Sequence, residues 1–188
     1  SGTVIFFGCP GEEGGSGKAY MARAGVFNIC DIIYSWHPGG ANGVMTGSYQ
    51  ANCQVYFKFH GTTAHAAGSP HLGRSALDAV ELMNVGVNYM REHMESTDRI
   101  HYAVLDTGGL SPNVVQANAT VLYLIRSIST EKVLALYERV QKIAKGAALM
   151  TETDVEIIFD KGCSNVVPNG VLEQVLYESM QRVGVPEY

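Results

Sequence analysis

Cys53-Gln54-Val55-Tyr56-Phe57-Lys58-Phe59-His60 alternates apolar with polar side chains. A period of two marks a strand with one face buried and one wet, so Cys53, Val55, Phe57 and Phe59 point to a core and His60 points outward with Lys58. The residues that follow, Gly61-Thr62-Thr63-Ala64-His65-Ala66-Ala67-Gly68-Ser69-Pro70-His71, are small and turn-forming. Beyond them Leu77, Val80, Met83, Val87, Met90 and Met94 recur at three- and four-residue spacings, which predicts an amphipathic helix from about Arg74 to Met94. A turn held between a strand and a helix is a fixed platform, and this one carries His60, His65 and His71.

Reading outward, Ile100 to Asp106 is a second strand, ended by Thr107-Gly108-Gly109 and Ser111-Pro112-Asn113. Alternating Ala119, Val121, Tyr123 and Ile125 mark a third strand that ends at Arg126. Glu131 to Met150 reads as a helix with Val133, Leu136, Val140, Ile143, Ala147 and Met150 in register and Thr130 as its N-cap. Val155, Ile157 and Phe159 alternate in a fourth strand. The order strand, helix, strand, strand, helix, strand is the ferredoxin-like arrangement of two helices on one face of a four-stranded antiparallel sheet. Its two ends meet on one side, so it can be inserted into another domain.

The flanks suit such a host. Thr3-Val4-Ile5-Phe6-Phe7 is an apolar run that predicts a strand buried on both faces. The Gly-rich loop holding Glu12 and Glu13 follows, then a helix from Lys18 to Ala24 ended by Gly25, then a strand from Ile29 to Trp36 that delivers His37. Asn169 to Val183 predicts a further helix. The Gly-rich segment Gly39 to Gly47 marks a boundary, which gives a fragment of an α/β host domain at 1–48, the ferredoxin-like domain at 49–162 and a return to the host at 163–188. The chain opens on a buried-type strand and stops just after a helix, so it is expected to be a piece of a longer protein, with Ser1 a cloning residue.

A net charge of -5 and 13 scattered Lys and Arg residues give no footprint for phosphate backbones, which argues against nucleic acid as a partner. No apolar run approaches the ~20 residues of a membrane helix, and the N-terminus lacks the pattern of a signal peptide, so a cytoplasmic protein away from membranes is expected. Cys9, Cys30, Cys53 and Cys163 show no C-x-x-C pairing and suggest neither a zinc knot nor a disulfide framework.

Two readings stand for each candidate side chain. Glu12-Glu13 is either a solvated loop or, at a strand end where ligands collect in α/β sheets, a metal ligand beside a proton acceptor, with His37 as the imidazole ligand. His65 is either a turn histidine bonded to backbone or a site residue. Asn113 suits a turn for backbone reasons alone, and Arg126 could simply pair with a local acid.

Together these residues resemble the dinuclear-metal aminoacylase and carboxypeptidase family, in which an α/β catalytic domain carries an inserted ferredoxin-like lid and dimerisation domain. The resemblance is carried by Gly2-Thr3-Val4-Ile5-Phe6-Phe7 leading to Pro10-Gly11-Glu12-Glu13-Gly14, by His37, by Gly61-Thr62-Thr63-Ala64-His65-Ala66-Ala67, and by Ser111-Pro112-Asn113-Val114-Val115 leading to Arg126. Pro70 to Ala79 and Ala144 to Thr153 look most like the branch that cleaves p-aminobenzoyl-glutamate. The resemblance implies that Glu12 is a general base, that Glu13 and His37 are ligands of a divalent metal, manganese or zinc, that His65 donates to the oxyanion in a neighbouring protomer's site, and that Asn113 and Arg126 hold the substrate's carboxylate. It implies a homodimer through the lid, pairing with a related A-type subunit, and a small acyl-amino acid substrate. Family members carry further metal ligands upstream and another histidine near the C-terminus, which these 188 residues do not contain. The chain itself is therefore expected to bind metal weakly and to hydrolyse nothing. The alternatives are a dimerisation or interaction module without activity, and another aminoacylase or aminopeptidase of the same family.

Overall fold

The computed structural model describes residues 2–184. In chain order the elements are α1 (Gly17–Arg23), β1 (Ala51–His60), α2 (Ala76–Met90), β2 (Arg99–Asp106), β3 (Asn118–Ser127), α3 (Thr130–Thr151), β4 (Asp154–Cys163) and α4 (Gly170–Val183), with short 3-10 turns at Pro70–Leu72 and Arg91–His93. The chain divides into two compact units, Ser48–Val166 on one hand and the residues up to Gly47 together with those from Val167 on the other.

In the unit Ser48–Val166, β1 to β4 form one sheet in the order β2-β3-β1-β4, with every neighbouring pair antiparallel. With α2 and α3 between the strands in sequence, this is the ferredoxin-like arrangement that the alternation predicts. The period of β1 is the reason it can be read: Cys53, Val55, Phe57 and Phe59 are buried, while Gln54, Tyr56 and Lys58 are half-buried and His60 is exposed. Residues paired across β1 and β3 share a face, so Val55, Phe57 and Phe59 lie beside Tyr123, Val121 and Ala119. Val80, Met83 and Val87 of α2 and Val140, Ala144 and Ala147 of α3 close the core over them. Phe57 and Tyr123 meet edge to face with ring centroids 5.5 Å apart, and the Tyr123 hydroxyl donates to Asn84 Oδ1 at 2.5 Å, so the one polar atom this tyrosine brings inside is satisfied. Burial pushes the Cys53 thiol up to about 11, which keeps it protonated and unreactive. No disulfide joins the four cysteines.

The helices differ from the expectation in detail. The cap of α3 is Ser129, not Thr130: Ser129 is extended (φ -144°, ψ 157°) and its side chain accepts from Lys132 N, whereas Thr130 is already helical. Met150, placed on the buried face by its spacing, is 66% exposed, and the left-handed Glu152 ends the helix two residues later. Leu77 and Met94 pack against the core without being fully buried.

The other unit holds α1 and α4, the latter capped by Asn169 accepting from Leu172 N, with Gly25 (φ +77°) just past the end of α1 as expected. The two flanking strands are not formed. Thr3 to Phe7 and Ile29 to Trp36 are irregular, with Val4, Phe6 and Trp36 exposed at 97%, 92% and 81%. A strand buried on both faces is made by its neighbours, which supply the ladder and the cover. Among the described residues this unit has no strand for either run to pair with. Ser1 and the segment Val185 to Tyr188, read above as cut ends, lie outside the described residues. No helix among the described residues is long and apolar enough to cross a membrane.

Candidate active site

The turn after β1 is fastened on both sides by backbone hydrogen bonds. Thr62 N donates to Arg74 O and Arg74 N to Thr62 O, each at 2.8 Å, which closes the loop on itself. The loop is then laced to the segment before β3: Gly61 N donates to Ala117 O, Val115 N to Ala64 O, Ala66 N to Asn113 O and Ala76 N to Gln116 O, all at 2.8–2.9 Å. His65 thereby lies against Val114 in an isolated antiparallel bridge, one residue from Asn113. Glycine is required at 61, where an added Cβ would sit 2.0 Å from the Arg74 carbonyl oxygen.

The His65 ring is exposed and its tautomer is set from one side. Nδ1 accepts from Ala67 N at 3.2 Å and Gly68 N at 3.0 Å. A nitrogen that accepts two backbone N–H groups carries no proton, so the neutral ring holds its hydrogen on Nε2 and presents it as a donor. The turn reading of His65 is the one observed: it is a turn histidine bonded to backbone, and that bonding leaves Nε2 as the donor of its neutral ring. The Asn113 side chain is exposed beside it and makes no hydrogen bond among the described residues.

Arg126 lies elsewhere. It stands near the C-terminal end of β3, opposite Asn52 of β1 and Arg99 of β2. From Asn118, where β3 leaves the histidine turn, the strand runs roughly 26 Å to Arg126 at the ~3.3 Å rise of a strand residue. Its Nε is sealed from solvent without a hydrogen-bond partner, and it forms no ion pair among the described residues, so the expected local acid is not there. An unsatisfied buried donor costs about 1–3 kcal/mol.

In the other unit Glu12 and Glu13 are exposed in the turn before α1. His37 is also exposed and donates from Nδ1 to the Pro38 carbonyl at 2.8 Å, which leaves the Nε2 lone pair outward. Carboxylate and imidazole are the donor types zinc or manganese takes. Yet no three His, Cys, Asp or Glu side chains come together to hold a metal ion among the described residues, so Glu12, Glu13 and His37 do not make a metal centre by themselves. Of the other turn histidines, His60 points outward, its Nδ1 2.8 Å from Asn118 Oδ1, and His71 sits on the 3-10 turn before α2. Arg99 and Asn52, the neighbours of Arg126, escape a reading of the sequence, because only the strand register brings them together.

The ferredoxin-like unit thus displays a histidine donor and an asparagine at one end of its sheet and an arginine without an ion-pair partner among the described residues at the other. The chain belongs to the M20 peptidase family: residues 50–152 match its peptidase dimerisation domain. It is 54% identical over 187 residues to the B-type subunit of the p-aminobenzoyl-glutamate hydrolase of Escherichia coli (strain K12), a match that covers 100% of this chain and 39% of that protein. It is 31% identical over 183 residues to the Xaa-Arg dipeptidase of Mus musculus, across 97% of this chain and 42% of that one. Among solved structures, the aminobenzoyl-glutamate utilization protein from Klebsiella pneumoniae superposes with a TM-score of 0.72 at 26% identity, over 87% of this chain and 43% of that chain. The chain thus spans about two fifths of the length of the relatives it matches. Peptidases of this family are generally metal-dependent.

Proposed function

We propose that the chain is the lid-bearing part of a metal-dependent amidohydrolase that cleaves the amide of an acyl-amino acid such as p-aminobenzoyl-glutamate. Residues 1–48 and 163–188 then belong to the catalytic domain and 49–162 to the lid. Glu12 is the general base, and Glu13 and His37 are ligands in a dinuclear manganese or zinc centre whose remaining donors come from other parts of the longer protein. His65 donates from Nε2 to the oxyanion of the tetrahedral intermediate, and Asn113 and Arg126 hold the substrate's carboxylate.

The observation that carries this reading is the placement of these groups in the lid. His65 and Asn113 stand at one end of the sheet, and the unpaired Arg126 at the other, roughly 26 Å along β3. One small substrate cannot touch both in one chain. Two lids can supply both, His65 and Asn113 from one protomer and Arg126 from its partner, which is the use a dimerisation domain invites. The unpaired edge of β2 is the natural place for the second lid to join, since an exposed edge strand offers a ready row of donors and acceptors. The Escherichia coli hydrolase has an A-type subunit too, 32% identical to this chain over 160 residues, which supports pairing with a related A-type subunit as well. Four cysteines without a disulfide favour work in the cytoplasm.

The test uses the full-length protein with manganese or zinc. It releases glutamate from p-aminobenzoyl-glutamate, and Glu12→Gln lowers kcat by roughly 10²- to 10⁴-fold, the usual contribution of a positioned general base. No release of glutamate or of any other amino acid, or a Glu12→Gln variant as active as the wild type, contradicts the reading.

A further inference from the structure

Arg126 does not stand alone on its face of the sheet. Arg99 of β2 is its cross-strand partner, and because their neighbours Ile100 and Ile125 point into the core, both arginines project from the face opposite the helices. Like charges set directly opposite one another destabilise a sheet. The usual relief, a carboxylate between them, is absent among the described residues: neither arginine forms an ion pair. Asp98, next to Arg99 in sequence, is engaged elsewhere, accepting from Ser127 Oγ at 2.7 Å and from Glu95 N at 3.1 Å. Arg99 is held from behind instead. Its Nη1 donates to the carbonyls of Ser96 and Asp98, each at 2.6 Å, which fixes the guanidinium and leaves Nε and Nη2 without partners among the described residues. On the other side of Arg126 stands Asn52, a further donor with no acid beside it in that row of the sheet.

We infer that Arg99 and Arg126 form a two-armed receptor for a dicarboxylic amino acid end, Arg126 taking the α-carboxylate and Arg99 the side-chain carboxylate, so that Arg99 sets a preference for acyl-glutamates over acyl-amino acids with uncharged side chains. This rests on the amidohydrolase reading above. Four bonds separate the two carboxyl carbons of glutamate, a span of about 5 Å, and opposed Cβ atoms on neighbouring strands stand ~4.5–5.5 Å apart, so the two arginine stems leave the sheet side by side and one such ligand lies within reach of both. Each guanidinium can meet its carboxylate with paired N–H groups, a geometry that lysine could not supply.

The test compares p-aminobenzoyl-glutamate with p-aminobenzoyl-glutamine on the full-length protein. Wild type favours the glutamate substrate. Arg99→Ala lowers kcat/KM for it by roughly 10- to 100-fold, the loss of one charge-assisted contact, and leaves the glutamine substrate unchanged, so the preference collapses. Arg126→Ala lowers both substrates alike. Arg99→Gln, which keeps the stem of the side chain, gives the same loss of preference should the alanine variant fold poorly. A wild type that cleaves both substrates equally well, or Arg99 variants that lose both activities equally or neither, overturn the inference while leaving the amidohydrolase reading intact. A wild type that cleaves neither overturns that reading and this inference with it.

Discussion

Replacing His65 with alanine in the full-length protein is expected, on the proposed function, to lower kcat by roughly 10²- to 10³-fold and to leave KM within about twofold, the signature of a donor that acts on the developing oxyanion and not on bound substrate. The size follows from the loss of one preorganised donor, about 2.7–4 kcal/mol of transition-state stabilisation. The preorganisation is visible in the turn. Ala67 N and Gly68 N occupy Nδ1, so no rearrangement of protons is needed before Nε2 donates. The ring is exposed but also caps Ala67 N and Gly68 N, so the substitution is expected to lower the thermal midpoint by a few degrees, and a steady-state assay paired with a melting curve separates the chemical effect from a folding one. A loss confined to KM would assign His65 to binding and remove it from the oxyanion.

Phe57→Ala destabilises the lid by about 3–5 kcal/mol, the cost of emptying a large side chain from a core that cannot close over the gap. Phe57 is fully buried on β1, which pairs with both β3 and β4, so the cavity opens between the sheet and both helices. Its edge-to-face partner Tyr123 is itself fixed through Asn84 of α2 and cannot swing in to fill the space without breaking a buried hydrogen bond. Thermal unfolding then shifts down by roughly 10–20 °C for a domain of this size. A shift of only a few degrees would mean that the core relaxes around the hole.

What could be read from the sequence was what one buried face imprints on it. In β1 and β3, wet on one side and packed on the other, the period of two is unbroken, and the two amphipathic helices complete the order of the ferredoxin-like fold. Thr3 to Phe7 and Ile29 to Trp36 show the limit. Their apolar content predicts strands, but a ladder needs partners that no local pattern reveals, and both runs are irregular. Ser129 against Thr130 turns on which residue is extended, a choice of backbone angle that two adjacent hydroxyls leave open.

The site divides in the same way. His65 and Asn113 stand out as a histidine and an asparagine in small-residue turns, but that Ala66 N reaches Asn113 O, and so brings the two turns together, is a contact between distant segments. The separation of Arg126 from both, and its pairing with Arg99, follow from register, which a bulge between Val104 and Asp106 makes harder still to count from residues alone.

If one catalytic site is assembled from two protomers, as proposed, mixing subunits restores activity that each variant has lost alone. Full-length His65→Ala and Arg126→Ala variants, each nearly inactive alone, are co-expressed or allowed to exchange subunits. In a mixed dimer one site receives its histidine from the Arg126→Ala chain and its arginine from the His65→Ala chain, and is whole. The mixture is expected to recover about one quarter of wild-type activity, one intact site in the half of the dimers that are mixed. A mixture no more active than its two components, with heterodimers shown to be present, would place both residues in the same protomer's site and rule out a site shared between protomers.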